Sequence, residues 1–162
     1  MTAGASLPPL WTCPKCGAKF VSANMSHSCG RYELEALFTK SESHVFELFQ
    51  TLRRVVERCG PSTMVPQKSR VVFMVRMRFV NVTVRKSFLR VGLILERLLA
   101  ADARLVETQS FGPHCHAHYF RIERAEQLDA SMAALLREAH DSGTQKNFQR
   151  IGRSARRKPQ II

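Results

Sequence analysis

From Ser43 onward the apolar positions follow a helical period. Val45, Leu48, Phe49, Leu52, Val55, Val56 and Cys59 fall at i, i+3, i+4, i+7, i+10, i+11 and i+14, which draws one apolar stripe along a helix. The opposite face carries Glu47, Arg53, Arg54 and Glu57, and Gly60-Pro61 supplies a stop. Cys59 continues the stripe and is read as core. Between Arg70 and Ile122 the period becomes two. Val71, Phe73, Val75, Met77 and Phe79 form one face of a strand, and Val80-Asn81 is the predicted hairpin turn, asparagine tolerating a left-handed backbone. Leu89, Val91, Leu93 and Leu95 mark the next strand, followed by a short helical bend over residues 97–102. Val106 and Thr108 lead to a Gly112-Pro113 turn, and residues 116–122 form the last strand.

The helical period returns with Leu128, Met132, Leu135, Leu136 and Ala139 and stops at Gly143. The predicted fold class is therefore α+β: an antiparallel sheet, most simply a meander, packed against two amphipathic helices over residues 31–143. Residues 1–10 are expected to be a loose arm and residues 144–162 a basic, disordered tail.

The segment before the first helix breaks both periods. Cys13, Cys16, His27 and Cys29 lie within seventeen residues and hold most of the five cysteines. In Cys13-Pro14-Lys15-Cys16-Gly17 two residues separate the thiols, so one tight turn points both sulfurs at a common ion, and Gly17 permits the positive φ that turns backbone amides toward them. Ligands at i and i+2, as His27 and Cys29 are, converge on extended backbone, unlike the helical spacing of a DNA-reading finger. Three thiolates and an imidazole close a tetrahedral shell that selects zinc in a structural role, with iron in a rubredoxin-like site as the alternative. Residues 11–30 are accordingly predicted to be a small zinc-knuckle module, with Trp11 and Phe20 shielding the ion.

Charge adds a second theme. The net charge is +12 and the pI about 10.3, a balance that accumulates polyanions such as nucleic acid. On the sheet, Arg76, Arg78, Phe88, Arg90, Tyr119 and Arg121 are expected on the outer face, where cations interleaved with rings suit single-stranded DNA or RNA. A basic face that only meets solvent is the other reading. His114, His116 and His118 share one side of the last strand and could hold a second metal, but Phe120 and Ile122 continue that side toward the helices, which favours satisfied core histidines. Phosphate-binding glycine loops, nucleophile elbows and zinc-protease signatures are absent, so an enzyme is the least supported class. No signal-peptide pattern and no apolar run of membrane-spanning length occur, so no membrane partner is expected and a cytoplasmic location with reduced thiols is.

The Trp11-Thr12-Cys13-Pro14-Lys15-Cys16-Gly17 segment, the run from His27-Ser28-Cys29-Gly30 to Tyr32, the Pro66-Gln67-Lys68 stretch and the Phe111-Gly112-Pro113 turn before His116 and His118 resemble a bacterial family of uncharacterised domains, domain-of-unknown-function family 5655. Leu128-Asp129 and Leu136-Arg137-Glu138-Ala139 fit it as well. The resemblance covers most of residues 11–143. It implies a compact α+β domain preceded by a Cys/His stretch in cytoplasmic bacterial proteins, with Cys13, Cys16, His27 and Cys29 as ligands, and it brings no established activity. The chain departs from the expected pattern in having no glycine at the Val80-Asn81 turn and in its long basic tail. The sequence-based reading is thus a zinc-stabilised, non-enzymatic module that contacts nucleic acid, the alternative being a protein-interaction or small-ligand module.

Overall fold

A computed structural model of the chain describes residues 7–27 and 29–146. The arm is therefore described only from residue 7 and the basic tail only to residue 146. Two short strands, β1 (Trp11–Thr12) and β2 (Lys19–Phe20), pair as an antiparallel hairpin. A 3₁₀ turn at Glu35–Phe38 leads into α1 (Ser43–Cys59). Six strands follow: β3 (Thr63–Pro66), β4 (Val71–Met74), β5 (Arg78–Val84), β6 (Leu89–Leu95), β7 (Leu105–Gly112) and β8 (Cys115–Ile122). A second 3₁₀ turn, Ala125–Gln127, precedes α2 (Ala130–Gly143). The fold is α+β. Among the described residues no helix is long and apolar enough to cross a membrane.

Both helices cover one face of the sheet. The apolar stripe of α1 is buried, with Val45, Phe49, Leu52 and Val56 fully inaccessible, and it meets Phe73, Val82, Leu93 and Phe120 from the strands and Met132 and Leu136 from α2. Asp129 caps α2 by accepting from the Met132 amide at 2.9 Å. That amide first, then the Ser131 hydroxyl and Arg104, holds the Asp129 carboxyl down at about 2. The folded value lies below the ordinary 3.8, so this contribution is fully present above that value and is lost as pH falls from it toward about 2.

The expected strand plan is corrected at several points. The strand expected to run unbroken to Phe79 is two strands, β4 and β5, with a hairpin turn at residues 75–77. Val80-Asn81 is consequently the middle of β5, paired with Leu93 and Gly92. The turn needs no glycine because its amides are satisfied from outside: Arg76 and Met77 both donate to the Gly143 carbonyl at the end of α2, at 3.2 and 3.0 Å. A register shift between Phe73 and Met74 is the bulge that lets the consecutive Phe79 and Val80 both be buried. An edge strand, β3, was not expected at all; it is short and ends on Pro66, a residue that an edge tolerates.

The sheet is antiparallel but not a meander. Its order is β3-β4-β5-β6-β8-β7, so the chain leaves β6, passes β8's position and returns through the last hairpin. The connection, residues 96–104, is irregular and not the helical bend expected. What fixes it is Arg104, whose five guanidinium N–H groups are all used: two to Asp102 (2.9 and 2.7 Å), and one each to the Gln127 carbonyl (2.7 Å), Asp129 (2.9 Å) and the Ser131 hydroxyl (2.9 Å). This arginine ties the crossover to the start of α2.

Candidate metal centre and ligand cleft

The β1–β2 hairpin carries the first two thiols. The Gly17 amide donates to the Cys13 carbonyl at 2.9 Å and the Cys13 amide to the Ala18 carbonyl at 2.8 Å, with Gly17 at φ +75°. His27 and Cys29 arrive from the returning loop. All four donor atoms lie within 4.8 Å of one another; Cys13 Sγ is 3.5 Å from Cys29 Sγ and Cys16 Sγ is 3.2 Å from His27 Nε2. Zinc–sulfur bonds of about 2.3 Å would set sulfurs of a tetrahedral shell about 3.8 Å apart, so the donors already have the spacing of such a shell.

The histidine is oriented for the role. His27 Nδ1–H donates to the Met25 carbonyl at 2.6 Å, which leaves the Nε2 lone pair facing the thiols, the arrangement in which a ligating imidazole is held by its other nitrogen. Desolvation opposes ionisation of Cys13, but the Cys16 and Lys15 amides, followed by the neighbouring thiols, outweigh it and bring Cys13 to about 6. Its hydrogen bond with Cys13, then desolvation, pushes Cys29 up to about 11. The Met25 carbonyl and then the Cys16 thiol raise His27. The surroundings thus favour the thiolate at Cys13 and oppose it at Cys29, whose proton a metal would have to displace.

The knuckle does not stand clear of the domain. Between it and the face of the sheet opposite the helices lies a cleft of about 400 Å³. Phe20, Val21 and Met25 line it from the knuckle; Met74, Ile94 and Ala117 line it from the sheet. Phe20 is nearly buried, and its ring centroid sits 4.4 Å from that of His27, so one side chain packs on a candidate metal ligand and walls the cleft. Asn81 and Tyr119 supply polar groups. Gly92 lies between them: a Cβ there would come within 2.8 Å of Asn81 Nδ2 and 2.9 Å of Tyr119 Cε1. Arg70, Arg76 and Arg78 stand along the cleft, and among the described residues its lining contains no carboxylate.

Residues 34–143, about two thirds of the chain, match the family described as Domain of unknown function (DUF5655). The chain belongs to the DUF5655 family. No curated protein and no solved structure matches it. The matched segment spans both helices and the whole six-stranded sheet of this DUF5655 domain, and starts after the knuckle, so the candidate metal ligands lie outside it.

The cations and rings expected on the outer face of the DUF5655 sheet are brought together in pairs. Arg90 lies over the Tyr119 ring at 4.2 Å and is ion-paired with Glu107. Arg121 lies over Phe88 at 3.8 Å and pairs with Glu123 at 2.7 Å. These two rings are each covered on one face and these two charges are matched by carboxylates. Arg76 donates to the Pro8 carbonyl (2.6 Å) and to Gln145 (3.2 Å), pinning the N-terminal arm and the end of α2 beside the cleft. The cleft itself was not read from the sequence, since Phe20 signals only a shield for the ion.

The three histidines do not converge. His114 is exposed. His116 is buried, its Nε2–H donating to the Pro113 carbonyl at 3.2 Å and its Nδ1 accepting from the Ser110 hydroxyl at 2.8 Å. His118 is fully buried and accepts at Nε2 from the Leu99 amide at 3.1 Å; desolvation lowers its pKa, keeping it neutral. Among the described residues only Cys13, Cys16, His27 and Cys29 form a group able to hold a metal.

Proposed function

We propose that the chain is a non-enzymatic, zinc-stabilised binding module whose working site is the cleft between knuckle and sheet. Three thiolates and one imidazole favour zinc over harder ions and leave it no open position, so the ion's role is structural. The observation that carries the reading is the cleft: its volume of about 400 Å³ lies within the range of roughly 300–1,000 Å³ typical of small-ligand sites, with apolar walls and a few placed polar groups. Binding fits better than turnover, because among the described residues the lining offers no carboxylate or histidine as a base, and burial raises Cys115, the one cysteine among them, away from thiolate. The thiol-rich site suits a reducing compartment such as the cytoplasm.

An anionic aromatic dye, anilinonaphthalene sulfonate, tests this without knowledge of the natural ligand. The zinc-loaded chain is expected to bind it with enhanced fluorescence, and Ile94→Trp, which fills the cleft, to weaken binding at least tenfold. Met25→Glu, at a partly exposed site on the knuckle wall, should weaken it as well while leaving the fold intact, whereas Arg85→Ala, outside the lining, should not. Equal binding by all four proteins would overturn the reading.

The second reading, nucleic-acid contact, is favoured by Arg70, Arg78, Arg85 and Lys86, which make no ion pair among the described residues. Phosphate neutralisation by such residues would give affinity for single-stranded DNA or RNA that falls steeply with salt. Fluorescence anisotropy of labelled oligonucleotides at several salt concentrations decides it, with affinity indifferent to salt counting against it.

A further inference from the structure

We infer that the cleft takes a nucleoside monophosphate: a flat heteroaromatic body joined to a doubly charged phosphate. The inference rests on the cleft being the binding site. Its walls set the shape of the body. One wall is the pleated face of the sheet at Met74, Ile94 and Ala117, and the other is the knuckle at Phe20, Val21 and Met25. Three of the chain's six methionines, Met25, Met74 and Met77, line this one space, and thioethers make favourable contacts with aromatic rings while adapting to their outline. At about 400 Å³ there is room for one compact molecule and not for a long acyl chain.

The polar groups set the rest. Asn81 offers a donor and an acceptor side by side and Tyr119 a hydroxyl, the complement of a ring edge bearing heteroatoms. The Gly92 gap keeps both side chains at the sheet surface, where a Cβ would displace them. On the arginine side, Arg70 and Arg78 are exposed and make no ion pair among the described residues, and Arg76 adds its charge while its hydrogen bonds hold the wall in place. Three guanidiniums with no carboxylate among the described lining residues match the charge and oxygen geometry of a phosphate better than that of a neutral ligand.

The test is isothermal titration of the zinc-loaded full chain with AMP, GMP, CMP and UMP, with the corresponding nucleosides and inorganic phosphate as controls, backed by displacement of anilinonaphthalene sulfonate. At least one nucleotide should bind tenfold or more tightly than its own nucleoside and than inorganic phosphate. That preference over the nucleoside should be lost in Arg70→Ala/Arg78→Ala, and Ile94→Trp should abolish binding while circular dichroism confirms its fold. No nucleotide exceeding phosphate, or tight binding that survives Ile94→Trp, overturns the inference. If nucleotides fail while the dye still binds and is blocked by Ile94→Trp, the ligand class is wrong and the cleft stands; if the dye is indifferent to the cleft variants, both fall.

Discussion

Stripping the metal should unfold the knuckle and leave the six-stranded sheet and its helices folded. The two strands of the knuckle contribute two residues each, far below what holds a hairpin together in water, whereas a structural zinc contributes about 10–16 kcal/mol in comparable small modules at neutral pH. The larger domain has its own core, with Phe49, Phe73, Phe120 and Leu93 fully buried between sheet and helices. Trp11, the only tryptophan, lies in β1 with its ring centroid 6.2 Å from that of Phe20 and reports on the knuckle alone. A chelator should therefore shift its emission to the red while the far-ultraviolet circular dichroism and the main thermal transition persist. Cys13→Ser should behave like the stripped protein even with zinc present. Acidification should release the ion for the same reason that loading expels protons. A single cooperative transition that consumes both modules would contradict the account.

Gly60→Ala should destabilise the domain by about 3–5 kcal/mol, the sum of backbone strain and overpacking. Gly60 terminates α1 at φ +145° and ψ 179°, a conformation essentially reserved for glycine. A Cβ there would come within 2.8 Å of His140 Cε1. His140 cannot simply swing away: it is buried, its Nε2–H donates to the Pro61 carbonyl at 3.0 Å, and its ring sits edge-on to Phe79 at 5.2 Å. The substitution therefore strains the end of α1 and wedges it from α2 at once. Thermal denaturation should show a drop on the order of 10–20 °C, and a variant as stable as the parent would show that this junction is looser than its geometry implies.

The parts of this protein that local chemistry determines were legible in its sequence. The stripe from Val45 to Cys59 marked α1, and the Cys-x-x-Cys turn with its later His and Cys marked the cluster of three thiols and one imidazole, because both rest on short-range spacing. What failed depended on partners far along the chain. The turn at residues 75–77 carries neither glycine nor proline, and its amides are answered by the carbonyl of Gly143. Arg90 read as an open cation because nothing local announces that Glu107, seventeen positions away, reaches it. The exchange of β7 and β8 leaves each strand's alternation unchanged, so periodicity could not detect it. The cleft needs Phe20, Met74 and Ile94 at once, and only the packing of knuckle on sheet brings them together.

The central claim is that the metal-bound knuckle forms one wall of a ligand site. Titration of anilinonaphthalene sulfonate into the zinc-loaded and the chelator-treated chain, with Trp11 emission followed in parallel, addresses it most directly. The account predicts that affinity falls at least tenfold as the knuckle opens while the sheet stays folded, and that zinc restores both signals together. Dye binding of equal strength with and without the metal, on a protein whose Trp11 emission has shifted, would contradict it.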